Sequence, residues 1–326
     1  MIPPGRQWRV ALAVAFLVGM SSAHAQDGKP AASYPTKKIN FVVAFAAGGF
    51  ADTLARYVAQ KLNEKLGQPV IIENRPGAGG NLAARAVRSA EPDGYTVLVT
   101  TTALAINATM YRQLDLSLDQ LSTVAISAAS PETIAAHASR PFGNLKEFLA
   151  WAKNREITFG SAGVGSGSHL AAEYFFKVHA KVKALHVPFR GGAPAVQAVL
   201  GNQIDLVASS FGVNAQVNEG LLKGLAVASP ERNPAMPQVP TYKEAGFPFV
   251  AESWVGFFVP AKTDPAIVAT LNAAINEVVS DSANRDHLST LGFQVTVRPV
   301  AESQAYLKAE VAKWGAMVRT VNVYVD

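Results

Sequence analysis

The 326-residue chain contains no cysteine. That excludes disulfides, thiolate metal ligands, a cysteine nucleophile and a lipid-anchored N-terminal cysteine. Long apolar runs are missing as well. The longest, Val10 to Met20, has eleven residues, and no stretch approaches the ~18 that a membrane-spanning helix requires. Charge of one sign is not concentrated anywhere: 29 Lys and Arg face 24 Asp and Glu, with no run of four basic residues, so neither a nucleic-acid groove nor a polybasic membrane patch is indicated. Metal-ligand spacing such as H-E-x-x-H is absent, and no metal or cofactor is expected. G-x-S-x-G and a P-loop are absent too; the one Gly-Lys pair, Gly28-Lys29, is followed by Pro30.

The first residues read as an export signal. Arg6 and Arg9 precede the short apolar run, and Ala23-His24-Ala25 forms an A-x-A site before Gln26. Residues 1–25 are therefore expected to be removed, leaving a soluble, mildly basic protein in a periplasm. With 49% hydrophobic and 16% charged residues, the remainder is large enough for two domains.

Two stretches of one design organise that remainder. The apolar run Ile39 to Phe45 reads as a buried strand, and Leu54, Val58, Leu62 and Leu66 repeat at helical spacing. Between them lie Ala46-Ala47-Gly48-Gly49, small residues that let backbone approach a ligand at the positive end of a helix. About a hundred residues on, strand Ile157 to Ser161 leads through Ala162-Gly163-Val164-Gly165-Ser166-Gly167-Ser168 to a helix from His169. A carboxylate or phosphate suits either helix start. The second loop begins like a dinucleotide fingerprint, but Ser168 holds the last glycine position and no acid lies between Glu173 and Asp205.

Strands and helices alternate from Ile39 to Thr100, which implies a parallel sheet with its ligand edge at Phe45, Asn74 and Thr100-Thr101-Thr102. The series restarts after Pro131. Few elements remain for a third domain after the strand Ser253 to Pro260. Residues 26–127 and 252–326 are therefore expected to form domain 1, and residues 128–251 an inserted domain 2, with two crossing strands as the hinge.

The order of the short motifs carries a resemblance. Val43-Ala44-Phe45-Ala46-Ala47-Gly48-Gly49 with Asp52 and Ala55-Arg56, Glu73-Asn74-Arg75-Pro76-Gly77-Ala78-Gly79-Gly80-Asn81, and Pro92-Asp93-Gly94-Tyr95 are followed by Gly165 to Leu170 with Glu173. Then come Val187-Pro188-Phe189, Pro237 to Thr241 with Glu244-Ala245-Gly246, and Lys313-Trp314. From about Tyr34 onward the chain resembles the periplasmic solute-binding proteins of tripartite tricarboxylate transporters, the Bug family. The resemblance implies an α/β, two-lobed periplasmic binding protein fold of type II-like form. Each lobe is then a mainly parallel sheet flanked by helices, and two strands form the hinge. It also implies a monomer that presents a small carboxylate to two integral membrane subunits and performs no bond chemistry.

Carried onto this sequence, the ligand positions are Phe45, Ala47, Gly48, Gly49, Phe50 and Asp52 on one lobe and Ser161, Gly163, Gly165, Ser166, Ser168 and His169 on the other. Thr101, Arg190 and Ser209, at strand and loop ends, join them as candidates. Several have a plainer alternative: Phe50 either stacks on a ligand ring or packs against the facing lobe, Asp52 suits a helix cap, and Arg190 meets a carboxylate or braces its own loop. Trp254 suits hinge or core. Phe50 stands where the family usually has a small or polar residue, and Ala208-Ser209-Ser210 replaces a pattern that often holds an aromatic and an acid. Loss of that acid removes one acceptor for an ammonium group, so the expected ligand is a mono- or dicarboxylate without an amine, aromatic ones included. The rival from another class is a secreted hydrolase using Ser166 or Ser168 with His169 on a carboxylate ester; no acid is evident to orient the histidine.

Overall fold

The computed structural model describes Met1 and residues 34–326, so the expected export signal lies outside the described residues. Strand and helix signals alternate from Ile39. β1 (Ile39–Val43), α1 (Phe50–Leu66), β2 (Val70–Asn74), α2 (Asn81–Arg88) and β3 (Thr96–Thr101) follow the expected order. α1 stops at Gly67, which takes the left-handed φ of 63° and donates its N–H to Asn63. Next come α3 (Ala103–Met110), β4 (Leu121–Pro131), β5 (Thr133–His137), α4 (Leu145–Ala152), β6 (Glu156–Ser161) and α5 (Gly167–Tyr174), the last continued by a π-helical turn over Phe175–Ala180. β7 (Lys183–Pro188), α6 (Gly192–Leu200), β8 (Leu206–Ser209), α7 (Val213–Asn218) and β9 (Leu222–Val227) complete that series. β10 (Glu252–Pro260), α8 (Pro265–Ser280), α9 (Ser282–Thr290), β11 (Gln294–Val295) and α10 (Val300–Val321) close the chain.

The strands form two sheets, ordered β11-β4-β10-β3-β1-β2 and β7-β6-β8-β5-β9. Pairing is parallel where strand–helix–strand units were legible, across β2-β1-β3 and β7-β6-β8. Elsewhere it is antiparallel, so both sheets are mixed rather than mainly parallel. The cause is the crossing chain: β10 re-enters the first sheet between β3 and β4, opposite in direction to both. Parallel register, Val43 against Asn74 and Val99, brings the carboxyl ends of β1, β2 and β3 to one edge.

The two sheets meet where β4 runs through Glu132 into β5 and the chain returns through Ala251 into β10. There the Glu132 N–H donates to Ala251 O at 2.9 Å, Ala228 N–H to Glu132 O at 2.8 Å and Ala251 N–H to Ala228 O at 2.9 Å. Trp254 proves to be core: it is fully buried, and its Nε1 donates to Glu310. α3 was not foreseen. Its sequence, ALAINATM, is buried on most sides, so no polar stripe marks it as a helix.

Candidate functional site

Three helices begin at one narrow cleft. Gly49, Phe50 and Ala51 bring the start of α1; Ser166, Gly167 and Ser168 that of α5; Gly191 and Gly192 that of α6. α1 and α6 have no side-chain cap, so their first amides are left to other acceptors. No Lys or Arg lines this cleft. Positive potential there comes from backbone, which favours an anion held by N–H groups over one paired with a side-chain cation. The rest of the wall is apolar or small, from Phe45, Phe211 and Ala162, together with Thr101, Ser209, Ser210, Ser253 and Glu132.

Of the expected positions, Phe45, Gly49, Phe50, Thr101, Ser166, Ser168 and Ser209 line the cleft. Gly163 and Arg190 line a wider neighbouring opening that shares Phe45 and Ala162 with it. Arg190 is exposed, and its guanidinium makes no hydrogen bond or ion pair among the described residues. Ala47 and Gly48 are exposed on the outer side of the first loop and do not line the cleft.

Asp52, Ser161, Gly165 and His169 stand behind the cleft wall. Asp52 is 1% exposed and its oxygens are taken: it accepts from the Gly48 N–H, Arg56 Nε and Asn74 Nδ2, each at 2.8 Å. Burial would raise its carboxyl pKa, but the hydrogen bonds from Arg56, Gly48 and Asn74 outweigh burial and hold it below the usual range. The second loop is held by neutral groups. Ser166 Oγ accepts from His169 N–H and donates to Gly163 O; Ser168 Oγ accepts from Ala162 N–H. His169 Nδ1 accepts from Gly165 N–H at 3.3 Å, its ring stacks on His186 at 4.0 Å, and His186 Nε2 lies 2.6 Å from Ser161 Oγ. Burial, with His186 and Lys177 adding to it, pushes the His169 pKa down to about 3, and burial takes His186 to about 4. Gly165 (φ 81°) needs its hydrogen: a Cβ would stand 2.3 Å from Asn107 Oδ1 of α3, on the other sheet's side.

Phe50 packs its ring on Phe293 at 5.0 Å and near Phe211 at 5.9 Å, the second from the loop after β8. Packing against the facing lobe is thus realised, and the ring still lines the cleft. No serine–histidine nucleophile is assembled there, since the Ser166 and Ser168 hydroxyls contact backbone and one another rather than the His169 ring. Among the described residues no group of three His, Asp or Glu could hold a metal ion.

Sequence reasoning missed Gly191-Gly192, Phe211, Ser253 and, most consequentially, Glu132. A signal for Glu132 existed: it is the only Lys, Arg, Asp or Glu between Asp119 and Arg140.

Known proteins are similar to this chain in sequence and fold. The family model described as tripartite tricarboxylate transporter family receptor matches residues 54–323. The periplasmic binding protein BugD is 30% identical with a TM-score of 0.84, covering 89% of this chain and 99% of its own. MatC from Rhodopseudomonas palustris, solved with bound malate, is 34% identical with a TM-score of 0.82, covering 87% and 100%. An R. palustris protein solved with adipate is 28% identical with a TM-score of 0.86, covering 89% and 99%. The family is one of solute-binding receptors rather than enzymes, its members are periplasmic binding proteins, and no helix among the described residues is long and apolar enough to cross a membrane. A two-lobed α/β fold with helix starts converging on one cleft, and a match over most of the length, lead to one conclusion: this chain belongs to the tripartite tricarboxylate transporter receptor family.

Proposed function

We propose that this protein captures a small mono- or dicarboxylate without an amine, aliphatic or aromatic, in the interlobe cleft and delivers it to two integral membrane transporter subunits. The observation that carries this reading is the convergence of the α1, α5 and α6 starts on a cleft without a lysine or arginine. A carboxylate accepts hydrogen bonds from the unpaired first-turn amides, and Phe45, Phe50 and Phe211 take its apolar body. Relatives solved with malate and adipate support the ligand class. Of the sequence-derived positions, Gly49, Phe50, Thr101, Ser166, Ser168 and Ser209 are assigned to ligand contact, Gly163 and Arg190 to the entrance, and Asp52 and His169 to holding their loops. In this reading residues 26–127 and 252–326 form one lobe and residues 128–251 the other, divided where the chain crosses near Glu132 and Ala251, a division supported by the hydrogen bonds that join those strands. The two lobes close on the ligand about those strands.

Thermal-shift titration against aliphatic monocarboxylates, dicarboxylates, aromatic carboxylates and amino acids tests the reading. A ligand at 100 times its Kd adds about 2.7 kcal/mol to the folded state, a shift readily seen. The expected result is stabilisation by a subset of amine-free carboxylates. Stabilisation by aspartate or glutamate with none by any simple carboxylate contradicts it.

A further inference from the structure

Glu132 is the one carboxyl in the cleft wall, and it stands at the crossing between the lobes. Its residue surface is 4% exposed. Ser253 of β10 donates to Oε1, while Oε2 is buried without any hydrogen-bond partner. The start of α5 lies against the same group, since a Cβ on Gly167 would stand 2.8 Å from Glu132 Oε1. A buried polar atom left unpaired beside a cavity is costly unless something in that cavity completes it.

We propose that Glu132 is a specificity-determining residue that meets the ligand as a neutral carboxylic acid. It donates a hydrogen bond from Oε2 to an oxygen of the bound carboxylate, so capture of the anion requires that one proton be kept. The inference rests on the carboxylate reading above. The surroundings favour the acid form over an ionised one. No Lys, Arg or His pairs with Glu132 among the described residues. Of the titratable groups on neighbouring elements, Tyr242 is a buried phenol, His169 is held neutral, and Lys177 pairs with Glu173 instead. Glu252 of β10 is raised by burial, with Lys313 and Glu310 as its charged neighbours. Burial, only partly offset by the Ser253 hydrogen bond, pushes the Glu132 carboxyl up to about 8. Ionised, it would repel the anion that the helix starts attract; protonated, it adds a donor to a wall where Ser166 and Ser209 already donate their hydroxyl protons to Gly163 O and Phe211 O.

The sign follows directly. A ligand carboxylate raises the Glu132 pKa further, so affinity is level below about pH 7 and falls as pH rises through 8. Calorimetry of the purified protein with malate, adipate and benzoate from pH 6 to 9.5, where all three are largely or fully ionised near and above neutrality, measures this. For a probe that binds, Kd is expected to rise roughly tenfold or more between pH 7 and 9.5. In Glu132→Gln the same ratio stays within about twofold. Removing the Ser253 donor in Ser253→Ala moves the break to higher pH. Infrared spectroscopy of the unliganded protein at pH 6.5 should show a protonated-carboxyl band that Glu132→Gln removes, whatever the ligand proves to be. Absence of that band, or a pH-independent wild-type Kd, overturns the inference and leaves carboxylate binding standing. Glutamate binding that strengthens with pH and disappears in Glu132→Gln overturns it in favour of an ionised acceptor for an ammonium group. If none of the three probes binds at pH 6 and the wider carboxylate panel is also silent, the proposed function and this inference fall together.

Discussion

The two loops do the same work with opposite chemistry. The first, Ala46 to Gly49, hangs on one ionised carboxylate: Asp52 gathers the Gly48 amide, Asn74 and Arg56. The second, Ala162 to Ser168, hangs on hydroxyls and two stacked imidazoles, with no charge at its centre. Both solutions keep a helix start open to the cleft. They differ in what disturbs them. A carboxylate with three donors fails only when protonated or deleted, whereas a neutral histidine pair fails when acid charges it.

Acidification should therefore separate the loops first, with the largest effect. Burial holds the His169 pKa down to about 3 in the folded protein against its ordinary 6.5, so in that window the unfolded chain binds a proton that the folded chain refuses. Stability is fully present above pH 6.5 and declines on acidification by about 1.4 kcal/mol per pH unit, or about 3 kcal/mol by pH 4.5. His186, also depressed, acts in the same direction. Asp52 behaves otherwise: its lowered pKa contributes stability above the ordinary carboxylate range that is lost only as pH drops below about 4. Urea unfolding at half-unit pH steps, with His169→Asn as the comparison, reads this out. If the variant keeps the wild-type slope between pH 6.5 and 4.5, the neutral-pair account is wrong.

Deleting the charged anchor comes next. Asp52→Ala leaves the Gly48 N–H without its acceptor and reduces Asn74 Nδ2 to its bond with Phe45 O, while Arg56, half exposed, can turn to solvent. A cost of about 2 kcal/mol is expected from the lost hydrogen bonds to a charged group. Affinity for the best carboxylate should drop roughly tenfold, because the α1 start loses its fixed position. Equal stability and affinity in wild type and variant would show that the loop is shaped by its glycines alone.

Much of this was legible in the residues, and what was not has physical causes. Strand–loop–helix units announce themselves through apolar runs ending in glycine, so the strands β1 and β6 and the starts of α1 and α5 were placed within about three residues. α3 and β5 were invisible: ALAINATM has no polar face, and Thr133–His137 is a short inner strand with two alanines at its centre. The ligand loops were read correctly as loops, but not which of their atoms face inward. Gly48 and Gly49 are neighbours in sequence, yet one is exposed and the other lines the cleft, a distinction set by the Asp52 clamp that local sequence cannot reveal. Glu132 reaches the cleft only because β4, β5 and β10 cross there, which is tertiary information.

The smallest effect tests redundancy in the neutral loop. Ser166 caps α5 by accepting from the His169 N–H at 3.2 Å, donates to Gly163 O at 2.7 Å and touches Ser168 Oγ at 3.1 Å. Ser166→Ala removes all three, yet Ser168 still holds the Ala162 amide and His169 Nδ1 still holds that of Gly165. The loss should be that of an ordinary N-cap, about 1 kcal/mol, with the loop otherwise in place. Asp52 has no such understudy for the Gly48 amide, which has no other acceptor among the described residues; only Asn74 keeps a second partner, Phe45 O. Measured side by side in urea, Ser166→Ala should therefore cost about half as much as Asp52→Ala. A Ser166→Ala loss equal to or greater than that of Asp52→Ala would mean that the serine network is as much a single point of failure as the carboxylate, and the contrast between the loops would disappear.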